Sequence, residues 1–480
     1  MNFNSWAFVL FFVVVYAATA PLRRYSTAHK WLLLLASWYF YASWNWQFLG
    51  LILFSTVFDW WIGLHFASTT HRRRLIAFSV IANLGVLAFF KYANFLIASA
   101  NGLAATAGSP CSLTPLDILL PVGISFYTFQ SMSYTIDVYR GTLPPRRSLL
   151  DYALFVAFFP QLVAGPIVRA SEFFEELDHP KHIAHKELAY ALILIAFGFV
   201  KKVVFADSLA AAGDPIWNDL AGAEPGAVLL AIYAFAFQIY FDFSGYTDIA
   251  IGIALLLGFR FPANFNYPYV ATSLQEFWRR WHMTLSRWLR DYLYISLGGN
   301  RLGPTRTQVN LMLTMLLGGL WHGASWNFVI WGGIHGLWLA LERALLARIP
   351  GWQSEFVGMR LLRWAVTFHL VCFAWIFFRA PDLASSLLVL DKLGSLASTG
   401  GVPPTLAVLA SALLLFTALH WLGARFALKR RLGDAPLLVH GAATLACLLL
   451  LVLFTPQYSA PFIYFPVLTC ARCCCVCSFR

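Results

Sequence analysis

Charge is scarce in this sequence. Only 12% of its 480 residues are Asp, Glu, Lys or Arg, about half the share found in soluble domains, which excludes a chain that shows most of its surface to water. No glycine-rich nucleotide loop, paired metal-ligand motif or nucleophile elbow occurs, so nothing points to a resident nucleotide, a metal or a serine hydrolase. No long linker, low-complexity tract or internal repeat divides the chain, and residues 1–465 read as a single polytopic membrane domain. Cysteine says little. Five of the 8 lie between Cys470 and Cys477, without the chain excursion that separates zinc-ligand pairs. Palmitoylation suits juxtamembrane cysteines, but residues 466–480 read more plainly as a Cys-rich tail outside the fold. Residues Met1 to Leu22 carry no charge and lack the positive start of a secretory signal, so they are expected to form a first, uncleaved membrane helix.

What fills the chain instead is apolar. Hydrophobic residues make up 60% and aromatic residues 17%, with 19 Trp; Trp and Tyr favour the two membrane interfaces. A span needs about 20 apolar residues. The charge-free runs are Met1–Leu22, Trp31–Phe58, Leu75–Phe90, Ile118–Ile136, Tyr152–Val168, Leu188–Val200, Ala227–Phe241, Val309–Leu341, Trp364–Phe378, Leu393–Ala424 and a last one from Pro436. Some are short and some long enough to fold back, so about ten to twelve membrane segments are expected, several broken or re-entrant. The fold class is therefore an all-α, multi-pass integral membrane protein.

The net charge of +12 falls in short clusters between these runs, beside lipid, and implies no nucleic-acid partner. With the N-terminus outside, Arg23, Arg24 and Lys30, then Arg72 to Arg74, then Arg140, Arg146 and Arg147 all fall inside. The uncharged 101–115 loop falls outside, as the positive-inside rule requires.

Polar groups within apolar runs are the candidates for chemistry. His322 lies in Leu320-Trp-His-Gly-Ala-Ser-Trp326, with Gly318, Gly319, Gly323 and Ala324 around it. Small residues let a substrate approach, and Trp321 and Trp326 would wall a narrow passage. A buried neutral imidazole there suits a general base; a helix-packing histidine bonded to a carbonyl is the other reading. Ser325 follows three residues later, a weak nucleophile signal without a third partner. His335 reads as an interhelical hydrogen bond. Residues 276–292 show Trp278, Trp281, His282, Leu285, Trp288, Leu289 and Tyr292 on one helical face, with Arg280 and Arg287 off it. They predict an amphipathic interfacial helix with His282 facing inward. Its arginines snorkel to water or meet the phosphates of a lipid or an incoming donor. Asp242 and Asp248, in Tyr240-Phe-Asp-Phe-Ser-Gly-Tyr-Thr-Asp248, need partners; a buried Arg is expected, with positioning of a substrate hydroxyl as the alternative.

Six segments carry a resemblance: Pro121-Val-Gly-Ile-Ser-Phe-Tyr-Thr-Phe-Gln130, Phe159-Pro-Gln-Leu-Val-Ala-Gly-Pro166, Tyr240 to Asp248, Asn264-Phe-Asn-Tyr-Pro268, Phe277-Trp-Arg-Arg-Trp-His282 and Leu320 to Trp326. In order and spacing the chain resembles the membrane-bound O-acyltransferase superfamily, in the branch of the bacterial alginate O-acetyltransferase membrane subunit. The resemblance implies a helical core of broken and re-entrant helices, with interfacial helices, around a tunnel. It implies His322 and His282 as catalytic residues. No bound cofactor or metal is implied; the donor is a cytosolic thioester, acyl-CoA and most simply acetyl-CoA. The acceptor is a hydroxyl of an exported polysaccharide such as alginate, completed by a periplasmic acetyltransferase partner, at the bacterial inner membrane amid its lipid. Cellulose, peptidoglycan and D-alanylated teichoic acid are alternative acceptors, and a transporter or lipid channel is the rival from another class. Family members often end soon after an aromatic stretch like Pro461-Phe-Ile-Tyr-Phe465, whereas this chain continues; nothing like a periplasmic domain is fused to it, which implies a separate partner.

Overall fold

The computed structural model describes residues 1, 3–22, 26–108, 112–180, 182–396, 404–455 and 462–463. Arg23, Arg24 and the Cys470–Cys477 run lie outside them. Every regular element among the described residues is helical, as a chain in lipid requires, because a helix satisfies its own backbone hydrogen bonds. Among the described residues, eight helices are long and apolar enough to cross a membrane: Trp46–His65, Arg72–Thr106, His185–Asn218, Pro225–Leu256, Trp326–Leu346, Val357–Arg379, Ala407–Arg425 and Leu437–Phe454. Several expected spans are shorter helices in the structure. The protein is thus an all-α, multi-pass membrane protein.

The chain forms two compact units. One comprises residues Met1–Ala191 and Ile249–Pro262 with Ile463; the other comprises Leu192–Asp248 and Ala263–Phe462. The first unit holds α1 (Trp6–Leu22), α2 (Ser26–Ala42), α3 (Leu49–His65), α4 (Arg72–Thr106), α5 (Ile124–Arg140), α6 (Leu149–Ala157), α7 (Phe159–Leu162) and α8 (Ala170–Asp178). The Trp31–Phe58 run is thereby two helices, turned at Asn45, whose side chain accepts from the Gln47 N–H at 2.9 Å. α5 is the core helix, buried continuously from Ile124 to Thr135. It begins at Gly123, whose φ of 77° is a left-handed conformation, and a Cβ there would lie 2.6 Å from the Leu162 carbonyl. Its polar face meets Asp59 of α3. The buried Asp59 carboxylate accepts from the Ser79 hydroxyl at 2.8 Å and the Asn83 amide at 2.9 Å, and Ser79 also bonds Thr135 at 3.1 Å. At one end, Arg146 pairs with Asp151 and Asp178.

α9 (His185–Phe199) starts in the first unit and leads into the second through a π-helical stretch, Val200–Ala206, and α10 (Asp207–Asn218). The 32-residue α11 (Pro225–Leu256) likewise serves both. The second unit continues with α12 (Leu274–Arg280), α13 (Met283–Trp288), α14 (Pro304–His322), α15 (Trp326–Arg348), α16 (Val357–Arg379), α17 (Leu383–Gly394), α18 (Pro404–Arg425), α19 (Leu428–Gly433) and α20 (Leu437–Phe454). Two expectations change here. The Val309–Leu341 run is a hairpin of α14 and α15, broken at Gly323–Ser325, because Gly323 is extended and the Ser325 hydroxyl caps α15. Residues 276–292 are not one amphipathic helix. They break at Trp281-His282 and end in a π-helical turn, Leu289–Tyr294. The break follows from the 264–270 segment, which pairs with it: the Asn266 N–H donates to the Arg280 carbonyl and the Met283 N–H to the Asn264 carbonyl, both at 2.9 Å. That segment is in turn anchored by Tyr269, which bonds Ala236 of α11, His420 of α18 and Trp364 of α16.

Candidate active site

The site lies wholly within the second unit. It begins with the glycines that let α14 and α15 touch. A Cβ on Gly319 would collide with the Phe328 carbonyl, and one on Gly332 with the Met315 carbonyl. Such close backbone approach is how helices pack in lipid without large side chains between them. It brings His322, the last residue of α14, against Trp331 of α15 at 5.1 Å between ring centroids, with Trp321 at 5.0 Å and Phe378 of α16 at 5.2 Å. His322 is 5% exposed. Trp331 was not among the expected walls. Trp326, which was, is more than half exposed. The helix break resets the helical phase, so the indole facing His322 comes from one turn further on. Ser325 serves as the cap of α15, accepting from the Asn327 N–H at 3.3 Å.

His282 sits at the break between α12 and α13, in a left-handed conformation with φ 41°. It is fully buried, as expected, but at a bend and not on a continuous helical face. Its ring packs on Phe243 at 4.7 Å and on Trp321 at 6.1 Å. Both expected histidines therefore border one indole, that of Trp321. Burial holds the His282 imidazole well below its ordinary value, so it is uncharged at neutral pH. Its Nδ1 lies 3.2 Å from Asn264 Oδ1. Its Nε2 is buried with no hydrogen-bond partner among the described residues. Asn264 opens the Asn264-Phe-Asn-Tyr-Pro268 segment, yet nothing in the sequence ties it to a residue 18 positions on.

His335 is 1% exposed and packs between Trp331 at 4.6 Å and Trp278 at 5.3 Å. The interhelical hydrogen bond expected of it is not formed, since neither ring nitrogen has a partner among the described residues. Trp278 also meets Trp331 at 5.8 Å. Trp278 lines a cavity of about 690 Å³, along with Arg279, Arg287, Arg290 and Arg343 and the apolar Met315. Two aromatic rings, Trp278 and Trp331, thus connect an arginine-bearing cavity to His322. Glu342 also borders the cavity, but its carboxylate accepts the Leu274 and Gln275 N–H groups that open α12.

Asp242 and Asp248 pair with lysines where a buried arginine was expected. Lys202 pairs with Asp242 at 2.9 Å and Asp207 at 2.8 Å; Lys201 and Lys429 pair with Asp248 at 2.6 and 2.7 Å. The π-helical stretch turns the adjacent Lys201 and Lys202 both inward. The signal was the Lys-Lys pair ending an apolar run. It points to a buried ion-pair network that fixes α11.

Residues 142–380 match the model of the MBOAT, membrane-bound O-acyltransferase family, a stretch that contains both histidines and the cavity. The chain is 48% identical over 390 residues to "Probable alginate O-acetylase AlgI" of Azotobacter vinelandii, covering 80% of this chain and 76% of that one. It is 38% identical to the peptidoglycan O-acetyltransferase of Helicobacter pylori, over 81% and 79% of the two chains. With the teichoic acid D-alanyltransferase of Bacillus subtilis it shares 28% identity over 55% and 70%. Glycine-packed helices presenting buried histidines beside a cavity are thus features of an acyltransferase, and the chain belongs to the membrane-bound O-acyltransferase family.

Proposed function

We propose that this acyltransferase moves an acetyl group from acetyl-CoA toward hydroxyls of an exported polysaccharide such as alginate, with His322 as general base and His282 as the second catalytic histidine. The observation that carries the assignment is the placing of both imidazoles against Trp321. A thioester is already activated, so transfer needs a base for the hydroxyl and a fixed approach. His322 takes the hydroxyl proton as the oxygen attacks the thioester carbonyl carbon. The C–S bond breaks, and the leaving thiolate takes up the proton that His322 holds, which restores the neutral imidazole.

The donor's phosphates suit the four arginines of the cavity, whose guanidinium groups match phosphate geometry. Its acyl end would then lie along Trp278 and Trp331. On this reading the cavity opens to the cytosolic side of the bacterial inner membrane, and the acceptor is met on the other side through a periplasmic acetyltransferase partner. Alginate is favoured by the 48% relative; peptidoglycan is the second reading, favoured by the 38% relative. A polymer-synthase gene beside this one would separate them. Family membership argues against a transporter or lipid channel.

The test is polymer acetylation in cells carrying His322→Ala, with protein abundance in the membrane measured alongside. Acetylation is expected to fall to background at normal abundance. Wild-type acetylation in that variant would remove His322 from the chemistry.

A further inference from the structure

We propose that Asn264 is a positioning residue that locks His282 in the tautomer with its proton on Nδ1, so that Nε2 is the nitrogen left to accept a proton or hydrogen bond in the reaction. This rests on the reading of His282 as the second histidine.

The argument is one of donors and acceptors. A backbone N–H can only donate. The Thr284 N–H lies 3.1 Å from the Asn264 side-chain atom that also faces His282. That atom must therefore be the amide oxygen, which fixes the orientation of the amide. The Thr284 hydroxyl donates to the same oxygen at 3.0 Å. An amide oxygen can only accept, so the His282 nitrogen 3.2 Å away, Nδ1, must carry a hydrogen. A neutral imidazole has one N–H. Its Nε2 then holds a lone pair, and that atom is the one buried without a protein partner among the described residues.

The backbone makes the arrangement rigid. The Asn264 carbonyl takes the Met283 N–H at 2.9 Å, so one asparagine holds three consecutive residues: His282 and Thr284 by its side chain and Met283 by its main chain. This grip coincides with the left-handed turn at His282, a strained conformation that persists only where its surroundings impose it. Using an amide also has a chemical consequence. Asn264 orients the ring as a carboxylate would, but adds no charge beside it. The imidazole stays neutral, with its lone pair directed away from the amide. If the ring becomes imidazolium, Oδ1 still accepts Nδ1–H and the geometry does not change.

The test begins with the full-length protein, ¹⁵N-labelled at histidine, in detergent or nanodiscs. The His282 signals are identified by their loss in His282→Gln. Nε2 is expected to give a pyridine-type signal and Nδ1 a pyrrole-type one at neutral pH; the reverse assignment overturns the proposal without any Asn264 variant. In cells, Asn264→Ala is expected to lower acetylation per membrane-inserted protein roughly 10- to 100-fold, the usual loss when an orienting partner is removed. Asn264→Asp, which keeps the acceptor, is expected to retain the tautomer and a larger share of activity. Asn264→Ala at normal abundance and full activity overturns the proposal, and so does an Asp variant that loses the Nδ1–H signature. Should His282→Asn, which keeps the left-handed turn, acetylate normally, the reading of His282 fails instead. Should His282→Asn be inactive while Asn264→Ala is fully active, only the role of Asn264 fails.

Discussion

Gly332 and Gly333 are neighbours on α15, and the structure assigns them opposite tolerances. A Cβ on Gly332 would run into the Met315 carbonyl of α14, with the carbonyl carbon at 3.0 Å and Leu316 Cα at 3.1 Å. Comfortable carbon contacts lie at about 3.5–4.0 Å, so the two helices would have to part by about 0.5–1 Å. Both colliding atoms are backbone and cannot rotate away. A Cβ on Gly333 meets only the Leu316 Cδ2 methyl, at 3.7 Å, an ordinary contact. Gly332→Ala should therefore cost about 1–3 kcal/mol of stability, as overpacking does. It should also move Trp331, one residue away, relative to His322 on the partner helix. A displacement approaching 1 Å at a reacting group can cost about 100-fold in rate. Gly333→Ala should be neutral or slightly stabilising, since alanine favours helix by about 1 kcal/mol over glycine. The assay is polymer acetylation per unit of membrane-inserted protein, with thermal unfolding of the purified variants in one detergent. Equal behaviour of the two variants would refute the close α14–α15 packing on which the His322 site is built.

Two further perturbations test the rest. Asp248→Asn removes the carboxylate from Lys201, which is 6% exposed, and is expected to cost about 3–5 kcal/mol as an uncompensated buried charge. Lys429→Ala removes the partner that is 32% exposed and should cost under about 1 kcal/mol; comparable losses of membrane protein level in both would contradict the network. Stability should also depend on pH through His282. Burial lowers its proton affinity in the folded state, so below its unfolded value of about 6.5 the unfolded chain binds a proton that the folded one refuses. The contribution is full above about pH 6.5 and declines as pH falls, by at most about 1.4 kcal/mol per unit. The unfolding temperature of the wild type is expected to drop more steeply between pH 6.5 and 5 than that of His282→Gln, and identical slopes would show that His282 is not shielded.

Much of the fold was legible because lipid imposes one simple demand, an apolar run of sufficient length. The eight long helices follow from it. What escaped were breaks inside apolar runs. Gly323 and Ser325 interrupt α14 and α15 without adding charge, so the run looked continuous, and with it went the helical phase that would have pointed to Trp331. The helix expected over 276–292 had sound periodicity. A distant segment overrode it by taking up the backbone groups of Arg280 and Met283, and local patterning carries no information about a partner 14 to 20 residues away. Lys201 and Lys202 follow directly on the apolar run Leu188–Val200, where a lysine pair marks the end of a span, yet they are buried counter-ions, because nothing local announces the aspartates 40 to 47 residues on. His322 and His282 stood out for the same reason in sequence and structure: an ionisable ring among apolar neighbours is expensive unless it has a task.

The left-handed turn at His282 bears on how this position can drift. Most side chains resist a φ of 41°, which costs about 1–2 kcal/mol, while glycine enters freely and asparagine, aspartate and histidine enter several-fold more often than other residues. The backbone therefore filters the residues open to position 282 before chemistry does. Leucine, valine or phenylalanine would add that conformational cost to the lost imidazole, a cost that Tyr267 and Ala427 bear elsewhere at φ 46° and 47°. It follows that alanine is a poor control here, since it combines a lost imidazole with a strained backbone. His282→Asn separates the two, keeping the turn while removing the ring.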